Sequence, residues 1–186
     1  VGNHRLVLGN ASLMQEAAVP VSGLGPQADA LRNEGASVIY LAVNGQFAGL
    51  LAVTDPIKSS TAEALAALQA AGVRIVMATG DGMLTAKSVG ARLGIEEVHG
   101  EIKPADKLDL VDKLQQQGHI VAMAGDGIND APALVKADVG IAMGTGTDVA
   151  MNSAQVTLVK GDLRGIAAAR ILSASTVRNM KQNLAF

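Results

Sequence analysis

The sequence predicts an α/β protein in which a Rossmann-like parallel sheet is flanked by helices and preceded by a short N-terminal segment rich in strands. Glycine accounts for 21 of the 186 residues, and the chain is 49% apolar but only 2% aromatic, which suits a core of small aliphatic side chains joined by tight turns. From residue 55 onward, short apolar runs alternate with helical stretches, as they do in βαβ units. Before that point, Asn44-Gly45 separates two apolar runs, which is a strong hairpin signal.

The first part of the chain is predicted to hold short strands and one short helix. The stretch "HRLVLGN" (4–10) favours a strand, and "ASLMQEA" (11–17) favours a helix. In "ASVIYLAVNGQFAGLLAVTD" (36–55), Asn44 and Gly45 readily take the positive φ angles of a type I′ turn. Two antiparallel strands are therefore expected on either side of that turn.

The pattern changes after Asp55, where "SSTAEALAALQAAG" (59–72) predicts a helix. Ser60 and Glu63 fit a capping box at its start. Leu65 and Leu68 share one face, and Gly72 is a suitable end. The remaining elements should alternate: strands at 73–78, 97–99, 119–124, 138–143 and 155–159, and helices at 83–93, 105–117 and 162–183.

Composition excludes several classes of protein. With 15 basic and 17 acidic residues the net charge is −2, so the sequence carries no electrostatic footprint for nucleic acid. There is no cysteine, which rules out disulfides and thiolate metal sites within these residues. No run approaches 18 apolar residues, the length that a membrane-spanning helix needs. Since the first residue is Val and the sequence stops without a closing signal, we expect it to be part of a longer protein.

Two acidic loops follow predicted parallel strands. "VMATGDG" contains Thr79-Gly80-Asp81, and "VAMAGDGINDAPAL" (121–134) contains the loop from Gly125 to Asp130. Ligands of open α/β sheets bind beyond the carboxyl ends of the strands, so both loops are expected at the functional edge.

The residue types in these loops suit phosphoryl transfer. Asp126 offers the carboxylate oxygens that Mg²⁺ prefers, and Asn129 can donate to a phosphate oxygen. Asp130 begins the next helix, where it can cap the helix or support the metal site. Thr79 can donate its hydroxyl, together with the amide of Gly80, to a phosphoryl oxygen. Lys107 adds an ammonium near a helix start, which attracts anions.

An aspartate nucleophile is missing from this set. Asp55 follows the apolar run "LLAVT", but Pro56-Ile57 comes next, and such sites use other residues there. From the residues alone, the chain is therefore expected to hold a phosphate and Mg²⁺ site but no acceptor for the phosphoryl group.

The motifs resemble those of P-type ATPases in the haloacid-dehalogenase-like superfamily. The segments that carry the resemblance are "LVLGNASLM" (6–14), "VTDPIK" (53–58), "TGD" (79–81), "KPADK" (103–107), "GDGINDAPAL" (125–134), "GIAMGTGTDVA" (140–150) and "VRNMKQNLAF" (177–186). The last of these is most similar to the stalk of copper-transporting members. The resemblance covers essentially the whole chain.

The resemblance implies a role for each matching residue. Thr79 would hold the phosphoryl group, Gly80 and Asp81 of the same motif would belong to the catalytic site, and Lys107 would neutralise the phosphoryl charge. Asp126 would ligate Mg²⁺, with Asn129 and Asp130 completing the site. Gly9 and Asn10 would contact ATP, and Asp55 would lie at a hinge near the nucleotide. Residues 1–52 would be the end of the nucleotide-binding domain, and residues 53–186 the phosphorylation domain with its stalk helix.

The sequence also lacks several segments of the family pattern. The Asp-Lys-Thr-Gly-Thr segment that carries the phosphorylated aspartate is absent, as are the His-Pro signature and the membrane helices. The resemblance therefore implies a cytoplasmic part of an integral membrane pump for a heavy-metal cation, with Cu(I) first and Zn²⁺ second. Its partners would be ATP, the actuator and remaining nucleotide-binding domains, and the membrane helices.

Two other functions remain open on the sequence. A soluble haloacid-dehalogenase-like phosphatase would need a nucleophile and a cap domain. A non-catalytic Mg²⁺- or nucleotide-binding module would need neither. A dinucleotide-binding protein is a weaker alternative, because no Gly-x-Gly-x-x-Gly follows the first parallel strand.

Overall fold

The computed structural model describes residues 2–144 and 148–184. Residues 145–147 of the "GIAMGTGTDVA" motif and residues 185–186 of the stalk-like segment lie outside the described residues. The strands are β1 (Leu6–Gly9), β2 (Ser37–Val43), β3 (Gln46–Val53), β4 (Val76–Ala78), β5 (Glu97–His99), β6 (Ala122–Gly125), β7 (Val139–Met143) and β8 (Val156–Leu158). The helices are α1 (Ala11–Glu16), α2 (Gly25–Asn33), α3 (Ser59–Ala70), α4 (Met83–Leu93), α5 (Pro104–Gln116), α6 (Ala131–Lys136), α7 (Asp148–Asn152) and α8 (Arg164–Leu184).

The chain divides into two compact units, each formed by two stretches of sequence. The first unit is Val1–Pro56 with Val76–Glu101, and the second is Ile57–Ile75 with Ile102–Phe186. This grouping follows contacts within each unit and differs from the predicted domain border at 52/53, which stays a prediction.

The first unit contains an antiparallel sheet in the order β1-β2-β3. Its hairpin turns at Asn44 and Gly45, whose φ angles are 52° and 82°, as the predicted type I′ turn requires. Helices α1 and α2 cover the sheet around a core of Met14, Val19, Ala28, Tyr40 and Ala42. The predicted strand-helix-hairpin order is therefore confirmed, whereas α2 had no clear signal in the sequence.

The first unit also contains the parallel pair β4-β5, joined through α4. The predicted strand at 73–78 is shorter in the structure, since only Val76–Ala78 pairs, and these residues are half-buried. Helix α4 ends at Gly94 in a left-handed conformation with φ 67°. The loop after β4 carries Thr79, whose amide donates to the carbonyl of His99 at 2.9 Å.

The second unit is built on a parallel sheet in the order β6-β7-β8. Helices α5 and α6 pack on it through the buried residues Val111, Ala133 and Ala137. Asp138, just before β7, accepts a hydrogen bond from the amide of Val121 at 2.8 Å, and this bond lowers the pKa of the Asp138 carboxyl. The parallel strands with flanking helices confirm the predicted α/β class, although they are divided between two sheets.

The predicted capping box at the start of α3 is wrong. The residue before the helix is Lys58, and no side chain caps that end. Ser60 instead helps to lower the pKa of Asp162, and Glu63 lies 3.6 Å from Arg164 at the start of α8. Both side chains therefore face the start of α8 rather than the start of their own helix. The end of α3 agrees with the prediction, because Gly72 has φ 75°.

The start of α8 is predicted to make stability depend on acid pH. Arg164 donates to both carboxylate oxygens of Asp162, and these bonds lower the Asp162 pKa from its usual 3.8 to about 2. A carboxyl whose pKa falls on folding stabilises the folded state above its unfolded pKa, and that contribution is lost as the pH falls through the folded value.

In wild type, protonation of Asp162 should lower the denaturant midpoint of unfolding as the pH falls from 3.8 to about 2. Asp162→Asn lacks this titration, so its midpoint should fall less over the same range. Chemical denaturation at a series of pH values measures it. Equal pH dependence in the two proteins would contradict the assignment.

Candidate active site

The loop between β6 and α6 is organised by the carboxylate of Asp130. Asp130 ends a 3₁₀ turn at Ile128–Asp130, and its Oδ2 accepts hydrogen bonds from the amides of Asp126 and Gly127, each at 3.3 Å. The side chain is only 8% exposed. One buried carboxylate therefore fixes the course of the loop. Asp130 stands directly before α6, as predicted, but its side chain does not cap that helix.

Lys107 completes the arrangement around Asp130. It lies in the first turns of α5, whose N-terminal end is capped by Asp106 accepting from the amide of Lys103 at 3.0 Å. The Lys107 ammonium donates to Asp130 Oδ1 at 2.6 Å, and its side chain is 18% exposed. The pair is mostly removed from water, so each charge depends on the other for its stabilisation.

Gly125 is required by the close approach of Asp130. A Cβ on Gly125 would lie 2.7 Å from the Cβ of Asp130 and 2.8 Å from its Oδ2. A Cβ on Gly127 would lie 3.6 Å from the same oxygen, which is an ordinary contact. Of the two glycines in Gly-Asp-Gly, the first is therefore the sterically constrained one.

Asp126 and Asn129 face solvent beside this pair. Both are exposed, and within 2–144 and 148–184 the carboxylate of Asp126 accepts no hydrogen bond. Asp130 has both oxygens engaged. Among the described residues no three His, Cys, Asp or Glu side chains cluster closely enough to hold a metal by themselves. This donor set fits Mg²⁺, which takes one or two protein carboxylates and completes its shell with water and phosphate oxygens.

The second acidic loop is closed on itself. Thr79 Oγ1 donates to Asp81 Oδ2 at 2.8 Å and accepts from the Asp81 amide at 3.2 Å. The other carboxylate oxygen, Oδ1, accepts from the hydroxyl of Ser37 at 2.8 Å, and Gly80 between them is exposed. Ser37 was not among the predicted site residues, because it lies 44 positions from Asp81 and has no motif of its own.

Gly9 and Asn10 form the junction between β1 and α1. Asn10 Oδ1 accepts from the amide of Leu13 at 2.9 Å, which caps the helix, and a Cβ at Gly9 would meet the Leu13 side chain. Asp55 is exposed in the segment between β3 and α3. Gly9 and Asn10 therefore shape the start of α1. The contact of Gly9, Asn10 and Asp55 with nucleotide stays a prediction.

The predicted site residues divide between the two compact units. Six of them belong to the first unit: Gly9, Asn10, Asp55, Thr79, Gly80 and Asp81. Four belong to the second unit: Lys107, Asp126, Asn129 and Asp130. In the second unit the structure joins Lys107 to Asp130, which lie 23 positions apart, and in the first unit it joins Thr79 to Asp81.

Residues 2–138 match the family described as "Hydrolase: haloacid dehalogenase-like hydrolase". The chain belongs to this family. This haloacid dehalogenase-like chain has the parallel strands, and the acidic loops at their carboxyl ends, that the sequence pattern predicted.

The relatives of this haloacid dehalogenase-like chain are heavy-metal P-type ATPases. A copper-exporting P-type ATPase of Legionella pneumophila is 58% identical over 186 residues, which are 100% of this chain and 25% of that protein. A silver exporting P-type ATPase of Salmonella typhimurium is 54% identical over 100% of this chain and 23% of that protein. The chain therefore spans about a quarter of the length of these relatives. The predicted resemblance to heavy-metal P-type ATPases is confirmed.

A solved structure agrees with these relatives. A zinc-transporting PIB-type ATPase in its E2·Pi state superposes with a TM-score of 0.75 at 35% identity, over 98% of this chain and 29% of that chain. Separately, none of the helices in the described ranges is long and apolar enough to cross a membrane.

Proposed function

We propose that this chain is the C-terminal part of the cytoplasmic catalytic headpiece of an ATP-driven heavy-metal pump that works through an aspartyl-phosphate. The observation that carries the proposal is the loop at Gly125–Asp130, where a buried carboxylate fixes both the loop and Lys107 while Asp126 remains open to solvent. The similarity to copper- and silver-exporting ATPases over the whole chain supports it.

In this proposal the loop residues and Lys107 bind the phosphoryl group and neutralise its negative charge. Asp126 supplies the carboxylate for Mg²⁺, and the bound ion would neutralise negative charge on the phosphoryl group. Lys107, held in place by Asp130, presents a fixed ammonium towards the same group. Asn129 offers amide hydrogens to phosphate oxygens. Positioning and charge neutralisation are the main protein contributions to phosphoryl transfer.

The proposed cycle uses an acceptor that these 186 residues do not contain. The γ-phosphoryl group would leave the β–γ bridging oxygen of ATP for an aspartate carboxylate in an Asp-Lys-Thr-Gly-Thr segment, with ADP as the leaving group. Water would then cleave the acyl phosphate and release phosphate. Thr79 would hold the phosphoryl group during these steps, and Gly9, Asn10 and Asp55 would contact ATP.

Cu(I) is the proposed cation, and Zn²⁺ is the second candidate. The curated relative with 58% identity is named as a copper exporter, whereas the zinc transporter is 35% identical. In the complete pump, the remaining domains and membrane helices would bind the cation and be partners of this chain.

Metal binding at Asp126 is tested with Mn²⁺ as a paramagnetic stand-in for Mg²⁺. In NMR spectra of the chain, Mn²⁺ should broaden the amide signals of residues 125–130. Asp126→Asn should weaken that binding by about tenfold or more, because it removes a ligand charge. Asp109→Asn, which removes an exposed carboxylate from α5, is the matched control and should leave the broadening unchanged. Unaltered broadening in Asp126→Asn would remove Asp126 from the metal site.

The missing acceptor is tested with γ-labelled ATP and Mg²⁺. The 186-residue chain should gain no acid-stable, hydroxylamine-sensitive label, while a longer protein that includes Asp-Lys-Thr-Gly-Thr should. A label mapped to Asp55, or to any other aspartate of this chain, would show that the chain carries its own nucleophile. The proposal that the acceptor lies outside these 186 residues would then be wrong.

A further inference from the structure

The turn before β2 is fastened to α4 by side-chain hydrogen bonds. The hydroxyl of Thr85 donates to the carbonyl of Ala36 at 2.8 Å, and the hydroxyl of Ser88 donates to the carbonyl of Asn33 at 2.7 Å. Thr85 is buried. All of these residues belong to the first compact unit. The turn is thus anchored independently of any contact with the Thr79–Asp81 loop.

Ser37 extends this row of contacts to the site loop. Its hydroxyl donates to Asp81 Oδ1 at 2.8 Å, while the other oxygen of the same carboxylate accepts the hydroxyl hydrogen of Thr79 at 2.8 Å. A threonine hydroxyl has one hydrogen to donate. While Asp81 accepts it, Thr79 has no hydrogen left for a phosphoryl oxygen.

We propose that Ser37 is a positioning residue that keeps the Asp81 carboxylate on the hydroxyl of Thr79 and so withholds this hydroxyl from the phosphoryl group. The inference rests on the proposed role of Thr79 as a phosphate donor. A phosphoryl oxygen must displace Asp81 from Thr79, and the carboxylate turns away more easily once Ser37 no longer holds it. Ser37 therefore opposes phosphate binding until the contact with Asp81 opens.

The test compares three variants of the 186-residue chain. Ser37→Ala removes the hydroxyl from Asp81, and Ser37→Thr retains a hydroxyl in a β-strand that favours threonine. Ser88→Ala is the matched control, because it removes a hydroxyl of the same row that does not reach Asp81. Thr85 keeps the turn anchored in all three variants.

The first readout needs no phosphate. Three-bond couplings of the Asp81 β-hydrogens report whether the Asp81 side chain, which Ser37 is proposed to hold, occupies one rotamer. We expect averaged couplings in Ser37→Ala, and a single rotamer in wild type, Ser37→Thr and Ser88→Ala. A single rotamer in Ser37→Ala would overturn the proposal.

The second readout is the affinity for inorganic phosphate with Mg²⁺, followed at the amides of Gly80 and Asp81. Ser37→Ala should bind phosphate roughly fivefold more tightly, the effect of one modest hydrogen bond, and Ser37→Thr should return the affinity to that of wild type. Equal or weaker binding in Ser37→Ala would overturn the positioning role while leaving Thr79 as the phosphate donor. Absence of phosphate shifts in every variant, with the Asp81 side chain released by Ser37→Ala, would instead overturn the proposed function on which the inference rests.

Discussion

Asp130→Ala is expected to lower the free energy of unfolding by about 3–5 kcal/mol, because it leaves the ammonium of Lys107 with little water and no counter-charge. It also removes the acceptor of the Asp126 and Gly127 amides. The loss is measured by urea denaturation followed by circular dichroism. Asp130→Asn should lose less, since its amide oxygen still accepts one of these bonds.

Helices α5 and α6 provide a matched control for the Lys107–Asp130 pair. Lys136 in α6 and Asp112 in α5 form an ion pair of the same 2.6 Å length, but their side chains are 41% and 40% exposed. Asp112→Ala should therefore change the free energy of unfolding by at most about 1 kcal/mol. A similar loss in both variants would mean that burial does not distinguish the pairs, and that the Lys107–Asp130 pair is no more important than a surface contact.

Gly125→Ala is expected to have the second largest effect. The new methyl group would overlap the Asp130 side chain, and overpacking of this kind costs about 1–3 kcal/mol. Because Asp130 must move, Mn²⁺ broadening at residues 125–130 should weaken as well. Urea denaturation followed by circular dichroism measures the first effect, and NMR spectra with Mn²⁺ measure the second.

Gly127→Ala separates this steric effect from loop stiffness. The substitution is the same, two residues along the loop, where a Cβ has room and φ is −106°. It should leave the free energy of unfolding within about 0.5 kcal/mol of wild type. If Gly127→Ala is as damaging as Gly125→Ala, the contact with Asp130 is not the cause.

The sequence predicted those parts of the fold that depend on local pattern. The positive φ angles at Asn44 and Gly45 follow from the residues themselves, and so does the end of α3 at Gly72. The capping box at Ser60 and Glu63 was wrong for a physical reason. Glu63 pairs with Arg164, about 100 residues away along the chain, and such tertiary contacts override a local capping preference.

In the candidate site, too, local motifs were predictable from the sequence and tertiary contacts were not. The motif "GDGINDAPAL" was enough to predict that Asp130 begins a helix, and a lysine at position 107 was predicted as a charge partner for phosphate. The sequence could not predict that Asp130 takes up Lys107 with one oxygen and the loop amides with the other. Nor could it predict the contact of Ser37 with Asp81, because a serine at the start of a strand carries no periodic or motif signal.

The last helix gives the second unit a long arm. None of the residues of α8, from Arg164 to Leu184, is buried, and the helix contacts α3. A helix of 21 residues is about 30 Å long, so a tilt of about 10° at its base displaces its far end by about 5 Å. Its base is held by Asp162 and Glu63 on Arg164, and by the Lys58 ammonium on the carbonyl of Gly161 at 3.2 Å. The packing of α8 on α3 and these polar contacts together set the direction of the whole arm, and small adjustments there are magnified severalfold at its tip.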